Sequence, residues 1–167
     1  MLVPANLYDT ELAYAFKKTW YKNQYMFYNN GCYYEEYEVF TNTYDNHQFA
    51  SVSYGEVIGY IGYSVDRAAN VAFDFNIINF TDDSMVFGAD LLQAVDDVFN
   101  KFNIDKIEFS VVVGNPAEVM YDEFIRMFGG RVVGTYKKHT KLVDGRVYDM
   151  KMYELFKRDY NKRRRKT

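Results

Sequence analysis

The sequence predicts one domain of the α/β (α+β) class, in which a mixed, mostly antiparallel sheet of six to seven strands is flanked by about four helices. Two turns, at Gly55 and at Asp144-Gly145, separate runs that are typical of β-hairpins. Segments with apolar residues at three- and four-residue spacing lie between these hairpins and predict helices. A chain of 167 residues buries roughly two thirds of its unfolded surface, which is enough for one core.

The N-terminal part predicts one helix and then a less regular segment. A helix over Asp9–Asn23 is indicated by large apolar side chains that recur every four residues, Leu12, Phe16 and Trp20. Asp9 or Thr10 is the expected cap. The tyrosine-rich residues 25–46 favour a short second helix with a loop on each side.

Three strands are predicted next, as an antiparallel meander over Phe49–Tyr54, Val57–Val65 and Val71–Asn79. In the third strand, alternation places Phe73, Phe75 and Ile77 on one face, and Asp74 and Asn76 on the other. Thr81 to Ser84 offer several caps for a long helix that ends near Asn103. Its apolar stripe consists of Leu91, Leu92, Val95, Val98, Phe99 and Phe102.

A strand, a helix and a second strand are predicted between Ile104 and Thr135. The strand is rich in β-branched and aromatic residues and is expected to be central and buried on both faces, with Ile107, Phe109, Val111, Val112 and Val113. Asn115 is the expected helix cap, with Pro116 at the first helical position. Gly129-Gly130 ends that helix, and Val132 begins the next strand.

The last hairpin and a basic tail complete the chain. Tyr136–Val143 and Arg146–Phe156 flank Asp144-Gly145, so we expect the sheet to close antiparallel. Residues 157–167 are expected to form a basic C-terminal tail outside a single domain of residues 1–156. Its basic run Lys162–Lys166 is typical of a solvated terminus, with nucleic acid or the acidic body of a neighbouring copy as the alternative contacts. Deletion of Lys162–Thr167 should then leave stability nearly unchanged.

Composition and charge exclude several functional classes. Hydrophobic residues make up 49% of the chain and aromatic residues 19%, which excludes disorder. Seven of the 20 basic residues and one of the 23 acidic residues follow Phe156, so residues 1–156 carry 13 basic and 22 acidic side chains, a net charge near −9. This acidic body makes nucleic acid an unlikely main partner, because phosphate binding depends on basic charge.

Cysteine, histidine and hydropathy set the remaining expectations. Cys32 has no second cysteine for a disulfide, and two histidines, His47 and His139, give no metal-ligand spacing, so we expect no metal. No apolar run approaches the roughly 18 residues of a membrane span, and no signal peptide is evident. A soluble, cytoplasmic protein without a membrane partner is therefore expected.

Two stretches in the last third resemble a known superfamily. The run NPAEVMY from Asn115 to Tyr121 and the run FGGRVVG from Phe128 to Gly134 resemble the GNAT superfamily of acetyl-CoA-dependent N-acetyltransferases. That superfamily has an Asn there, a helix carrying Leu-Tyr, a Gly-Phe step and a closing strand. Here the helix is about a turn longer, and Gly130 stands where the family commonly has an aromatic residue.

The resemblance extends to the element order from about Asp9 to Phe156, and to the runs VIGYIG from Val57 to Gly62 and DGRVYD from Asp144 to Asp149. It implies the GNAT fold and transfer of an acetyl group from acetyl-CoA, without a metal, to a primary amine of a small molecule or a protein. A homodimer is compatible with it. The alternative is a catalytically weak or inactive GNAT-fold protein with a binding or structural role.

The resemblance also implies where the cofactor would lie. In the family the cofactor lies between the fourth and fifth strands. A backbone N–H of the fourth strand, which is Val71–Asn79 here, donates a hydrogen bond to the carbonyl of the acetyl group. The diphosphate should lie on the amides at the start of the following helix, because a helix N-terminus binds anions. The candidate cofactor residues are Ile78, Val86, Phe87, Gly88, Ala89 and Asn115.

This loop departs from the family pattern. Of the residues from Asp83 to Gly88 only Gly88 matches, since Asp83 replaces a cationic or amide residue and Val86 replaces the first glycine. Asp82, Asp83 and Asp90 are negative charges near the expected diphosphate. They are equally explained as acids that cap a helix and complement its dipole.

Catalytic and acceptor candidates follow, each beside a simpler explanation. Tyr121 is the candidate general acid, by similarity to the helix tyrosine of the family. The simpler explanation is that Tyr121 is one more aromatic residue of the apolar stripe that packs in the core. Asp74 is the candidate base, directly or through water, and Asn76 shares its face, or both belong to a solvated strand face. Asn115 is expected either to contact the pantetheine arm of the cofactor, by the resemblance, or only to cap its helix. A cationic amine would meet aromatic and acidic side chains, unless these form a plain acidic surface, at Tyr33, Tyr34, Glu35, Glu36, Tyr37 and Glu38.

Overall fold

The computed structural model describes residues 1–20, 22–28, 38–81 and 84–165, and these form a seven-stranded sheet with four α-helices. The strands are β1 (Leu2–Pro4), β2 (Asn46–Ser53), β3 (Glu56–Asp66), β4 (Val71–Asn79), β5 (Lys106–Val112), β6 (Arg131–Lys141) and β7 (Val147–Phe156). The α-helices are α1 (Asp9–Thr19), α2 (Ser84–Asp96), α3 (Glu118–Phe128) and α4 (Lys157–Arg164), and a π-helical turn, Asp97–Lys101, extends α2. The predicted mixed, mostly antiparallel sheet is confirmed.

The strands are ordered β1-β2-β3-β4-β5-β7-β6, and β4 and β5 form the parallel pair. Their ladder has two residue pairs, Val71 with Lys106 and Ala72 with Ile107. Beyond Ala72 the two strands diverge, although β4 continues to Asn79 and β5 to Val112. On its other side β5 pairs with β7 along its whole length. The sheet therefore opens between its two parallel strands.

A β-bulge in β4 lies at the point where this opening begins. Gly62 pairs with Asn76 and Ser64 with Phe73, so two residues of β4 stand opposite Tyr63 alone. Asp74 has a φ of 54°, a left-handed conformation that aspartate tolerates better than most residues. The bulge interrupts the alternation of faces. Phe75 packs against the main core, but Phe73 is 41% exposed, so the prediction that Phe73 shares one face with Phe75 and Ile77 was wrong.

Two apolar layers cover the two faces of the sheet. The helices α2, α3 and α4 lie over one face, where their buried residues Val95, Ile125 and Tyr160 join strand residues such as Ile61 and Leu155 in the main core. Helix α1 packs on the other face, where Leu12 and Phe16 contact a second cluster that includes Ala50, Tyr60 and Ile78. Each layer is held by the apolar stripe of its helices.

The N-terminal predictions need three corrections. Helix α1 ends at Thr19 rather than near Asn23, and the Thr19 hydroxyl donates to the Phe16 carbonyl at 2.7 Å. Neither Asp9 nor Thr10 caps it, because Tyr8 is at the cap position and the Asp9 carboxylate accepts the N–H of Thr10. Strand β1 was not predicted. The predicted short second helix lies largely in residues 29–37, outside the described residues.

The unit from β5 to β6 follows the prediction with shifted boundaries. Asn115 accepts the N–H of Ala117 with its side-chain oxygen, but α3 begins at Glu118, with Ala117 at the cap position. Gly129 ends α3 with a φ of 83°, and the N–H groups of both glycines reach the Ile125 carbonyl, as predicted. Strand β5 lies inside the sheet, although Val113, which follows it, is 36% exposed.

The C-terminal residues differ most from the prediction. The hairpin at Asp144-Gly145 is confirmed, and its second strand, β7, lies between β5 and β6. The following residues, expected to form a solvated tail, form α4 as far as Arg164. Tyr160 is fully buried between Phe99 and Phe128, with ring centroids 5.0 and 4.9 Å away. None of the described helices is long and apolar enough to cross a membrane.

Candidate functional site

The opening between β4 and β5 holds a cavity of about 280 Å³ on the face that α1 covers. We name it the polar cavity, because its walls include Asp74, Asn76, Asn79, Ser110, Asn115 and Tyr121. The aromatic side chains of Tyr25, Phe27 and Tyr28 also line it. The β4 backbone borders the cavity from Asp74 to Asn79, the part of the strand that has separated from β5. The β5-facing amides and carbonyls of this part of β4 are therefore placed to bond a ligand.

A second cavity of about 280 Å³ lies on the opposite face, between α2 and α3. We name it the apolar cavity, because aliphatic and aromatic side chains make up most of its walls, among them Leu91, Leu92, Phe109, Met120 and Phe124. Gly88 lies at its wall, and a Cβ added there would have no atom within 4 Å. The two cavities share Phe75, Ile77 and Tyr121.

Tyr121 therefore lies where the two cavities meet. Its ring packs edge-on against Phe109, with centroids 5.5 Å apart, and more distantly against Tyr153, at 6.5 Å. Burial raises the pKa of its hydroxyl to about 12. The phenol is therefore protonated at neutral pH and is available as a proton donor at the gap.

The bulge residue Asp74 contributes a carboxylate to the polar cavity. Asp74 is exposed, and its carbonyl accepts the side-chain N–H of Asn76 at 3.1 Å. Burial, and then the nearby Tyr60 and Asp74, raise the pKa of the Tyr28 hydroxyl far above its usual value. A neutral phenol and a carboxylate thus face the same cavity. A carboxylate at this position can accept a proton or attract a cation.

The residues predicted to hold a cofactor lie in different environments. Ile78 and Asn115 line the polar cavity, and Gly88 lines the apolar cavity. Phe87 is 6% exposed and its ring lies against Gly59, so its side chain belongs to the core and its backbone alone is available. Val86 is half-buried against the core, and Ala89 is exposed outside both cavities.

These residues fit one part of acetyl-CoA better than the other. The gap between β4 and β5, with β4 backbone that is not paired with β5 on one side and Tyr121 across it, suits a narrow thioester-bearing arm. The diphosphate would have the N-terminus of α2, with Gly88 in open space, but the described residues of α2 include no lysine or arginine. Asp90 does not face that position, because it is buried and accepts the Ser51 hydroxyl at 2.6 Å.

Some predicted residues lie beyond the structure's description, and others were missed. Asp82 and Asp83 of the cofactor loop, and Tyr33, Tyr34, Glu35, Glu36 and Tyr37 of the acceptor wall, fall outside the described residues. The sequence analysis missed Tyr28, Ser110 and Met150, which line the polar cavity. Ser110 stands between the apolar residues Phe109 and Val111, which was the available signal for it. Nothing in the sequence distinguished Tyr28 from the other tyrosines of the chain, which has 17 in all.

Within the described ranges, no group of three or more His, Cys, Asp or Glu side chains is positioned to hold a metal ion.

Comparison with known proteins places the fold. No protein-family model matches the chain, and no curated protein sequence matches it. Among solved structures, a probable acetyltransferase superposes with a TM-score of 0.60 at 18% identity, over 69% of this chain and 64% of that one. Mutant forms of the spermidine/spermine N-acetyltransferase SpeG from Vibrio cholerae superpose with a TM-score of 0.60 at 24% identity, over 72% of this chain and 69% of theirs.

A chimera of the Vibrio cholerae spermidine N-acetyltransferase SpeG and hSSAT gives a TM-score of 0.59 at 24% identity, covering 71% of this chain and 70% of that one. The match to the probable acetyltransferase covers 64% of that protein, which is less than two thirds of its length. At these identities the likeness establishes the fold alone. The chain has the fold of the GNAT acetyltransferases, as the sequence resemblance implied.

Proposed function

We propose that this protein is an N-acetyltransferase that moves the acetyl group of acetyl-CoA to a primary amine of a small molecule or a protein. One observation carries the proposal. The two parallel strands separate after two residue pairs, and the gap joins a polar cavity to an apolar one at a half-buried tyrosine. This geometry lets an acyl donor and an acceptor meet from opposite faces of one sheet.

The chain's own residues would then have separate roles. Bound acetyl-CoA supplies the thioester whose acetyl group is transferred. A backbone N–H of β4 near Ile78 would stabilise the negative charge that develops on the acetyl carbonyl oxygen during transfer. Asn115 would contact the pantetheine arm. The Tyr121 hydroxyl, protonated at neutral pH, would donate a proton to the departing thiolate. Asp74 would accept the amine proton, directly or through water.

The charge of the polar cavity favours a cationic acceptor. Asp74 is the one acidic or basic residue among the described wall residues, and the aromatic rings of Tyr25, Phe27 and Tyr28 also line the cavity. A carboxylate and aromatic faces together attract an ammonium group. Two of the similar structures are named as acetyltransferases of spermidine or spermine, which are such amines. Polyamines are therefore the first acceptors to test, followed by lysine-containing peptides.

A second candidate function is a GNAT-fold binding or structural protein with little catalysis. It is favoured by the absence of lysine and arginine from the described residues of α2, where the diphosphate would lie. The sequence also has Asp83 just before α2, and its negative charge would repel the diphosphate.

Turnover tests the enzyme directly. Purified protein is mixed with acetyl-CoA and either spermidine, a diaminoalkane or a lysine peptide, and free thiol is measured with a chromogenic disulfide. We expect thiol release that requires the amine and rises with pH as the amine loses its proton. Hydrolysis without any dependence on amine contradicts the proposed acceptor class.

Calorimetry separates the two candidate functions. Acetyl-CoA titrated into the wild-type protein should give weak, measurable binding, and Asp83→Asn should bind more tightly because one like charge is removed. If neither protein takes up acetyl-CoA at millimolar concentration, the enzyme is excluded and the binding protein is favoured.

A further inference from the structure

A partly buried ion-pair network joins α3 to β7 beside the candidate site. At its centre, the Lys151 ammonium lies 2.9 Å from Glu118 Oε1 and 2.8 Å from both oxygens of Asp122. The Lys151 side chain is 18% exposed. One lysine thus holds two carboxylates that stand one turn apart on α3.

The two carboxylates have further partners. The second oxygen of Glu118 accepts the N–H of Gly114 at 3.0 Å, in the turn that leads from β5 to α3. Asp122 accepts the hydroxyl of Tyr153 at 2.7 Å. The hydrogen bond from the Gly114 N–H, and then that from Lys151, lower the pKa of Glu118, and the hydrogen bonds from Lys151 and then from the Tyr153 hydroxyl lower the pKa of Asp122. The network stays ionised at neutral pH and fixes the first turns of α3 against the sheet.

Tyr121 lies within this clamped segment, between Glu118 and Asp122. Among the described residues none forms a hydrogen bond with its hydroxyl, so the position of the phenol is set by ring packing and by the placement of α3. The packing leads back to the network, because Phe109, which Tyr121 contacts, stacks on Tyr153 with centroids 4.8 Å apart.

We propose that Lys151 is a positioning residue for the acetyl transfer, which holds α3 so that the Tyr121 hydroxyl faces the gap between β4 and β5. This inference rests on the proposed function. Lys151 lines neither cavity, so it acts through Tyr121 and not on a ligand. Catalytic geometry tolerates little error, since a displacement of about 1 Å can cost roughly a hundredfold in rate.

The first experiment compares Lys151→Gln with Lys137→Gln, a matched control. Lys137 also pairs with a carboxylate of β7, at 2.8 Å from Asp149, but it lies on β6 and is 78% exposed. We expect Lys151→Gln to lower kcat about tenfold or more with little change in the KM for either substrate, and Lys151→Arg to recover much of the loss. Lys137→Gln should leave kcat unchanged. Equal effects of the two glutamine variants overturn the inference.

A double-mutant cycle tests the route through Tyr121. In a Tyr121→Phe background, Lys151→Gln should change kcat less than twofold, because the group it positions is gone. If the two losses in kcat multiply, Lys151 acts elsewhere and the positioning role is wrong. Should Lys151→Gln fold poorly, Asp122→Asn removes one of the two carboxylates that Lys151 holds, which is a smaller change, and takes its place in the cycle.

Amide hydrogen exchange gives a readout without turnover. In Lys151→Gln, exchange should accelerate from Gly114 to Asp122 and stay unchanged in α2. Unchanged exchange in that segment overturns the tether. If Lys151→Gln shows this exchange pattern but the wild-type protein transfers no acetyl group to any amine, the proposed function and the positioning role both fail, whereas the attachment of α3 to β7 by Lys151 is confirmed.

Discussion

At the scale of single residues, Tyr121 combines three properties that rarely coincide. It lies at the junction of two cavities, its pKa is raised to about 12 by burial, and its ring is held by Phe109. A general acid must be protonated at working pH and within reach of the leaving group. Under the proposed function, the divergence of β4 and β5 would meet the second of these requirements.

The first prediction concerns the hydroxyl of Tyr121. Tyr121→Phe should reduce kcat by roughly a hundredfold, because a positioned acid contributes about that much, and it should leave the fold intact. Steady-state kinetics and circular dichroism check both parts. Tyr136→Phe is the control, since Tyr136 is 56% exposed on β6. Unchanged turnover in Tyr121→Phe would assign this tyrosine to the core alone.

His47 is a buried histidine away from the candidate site. It is 6% exposed, its ring stacks between those of Tyr63 and Phe102 at 5.1 and 4.9 Å, and its Nε2 has no partner among the described residues. Burial, and secondarily the Arg67 guanidinium, lower its pKa below the usual value of 6.5. The neutral ring is therefore the form that the folded protein prefers.

The second prediction is a loss of stability in mild acid. Because the folded-state pKa of His47 is lowered, the unfolded chain binds more protons than the folded protein below about pH 6.5. The stability that neutral His47 contributes is therefore complete above that pH and is lost as the pH falls. The free energy of unfolding should fall by up to about 1.4 kcal/mol per pH unit in that window. Urea denaturation of His47→Gln should show a weaker pH dependence, whereas His139→Gln, an exposed control, should match the wild type.

At the scale of elements, α2 and β3 approach each other through a glycine. Gly59 of β3 faces Phe87 of α2, and a Cβ there would overlap the Phe87 ring and lie 2.9 Å from the Ile78 carbonyl oxygen. The contact sets the distance between α2 and the sheet, and Ile78 lines the polar cavity. Gly88, one residue after Phe87, has no such neighbour.

The third prediction contrasts these two glycines. Gly59→Ala should destabilise the fold by about 1–3 kcal/mol through overpacking. Gly88→Ala should stabilise it by up to about 1 kcal/mol, because alanine favours a helix interior over glycine. If Gly88 is kept for close approach of a diphosphate, Gly88→Ala should also weaken acetyl-CoA binding. Thermal melts and calorimetry measure the two effects, and equal stability of both variants contradicts the packing described.

At the scale of the whole molecule, α4 closes the main core. Tyr160 is fully buried, and Arg163 donates to the carbonyl of Arg126 at 3.0 Å, at the C-terminal end of α3. A basic side chain at a helix C-terminus complements the helix dipole. The acidic body is thus packed against its own basic C-terminal helix, and this helix holds the end of α3 opposite to the end that Lys151 holds.

The fourth prediction follows from this packing. Tyr160→Ala should cost about 3–5 kcal/mol, the range typical of large buried aromatic residues. Deletion of residues 162–167, expected from sequence to be neutral, should instead lower stability measurably, because Arg163 is removed. Arg165→Ala, at an exposed position, is the control for charge alone. A melting temperature that is unchanged on deletion would restore the prediction of a solvated tail.

Several features were predictable because local chemistry decides them. The Gly55, Asp144-Gly145 and Gly129-Gly130 signals specify turns and a helix end by backbone conformation, and apolar periodicity located α2, α3 and the meander. Asn115 and Tyr121 were identified by resemblance to the GNAT superfamily. The boundaries were less predictable, because the ends of α1 and α3 depend on hydrogen bonds that several neighbouring residues can provide equally well.

The sequence by itself determined the fold class, helix α1 and the order of the elements from β2 to β7, since periodicity and turn chemistry act over a few residues, and the candidate tyrosine came from the family resemblance. Tertiary structure alone decided the bulge at Asp74, the opening between β4 and β5, the order β5-β7-β6, the packing of α4 and the contacts of Lys151. Each of these depends on pairing between residues far apart in the chain, where the free energy of packing, and not local preference, selects the partner.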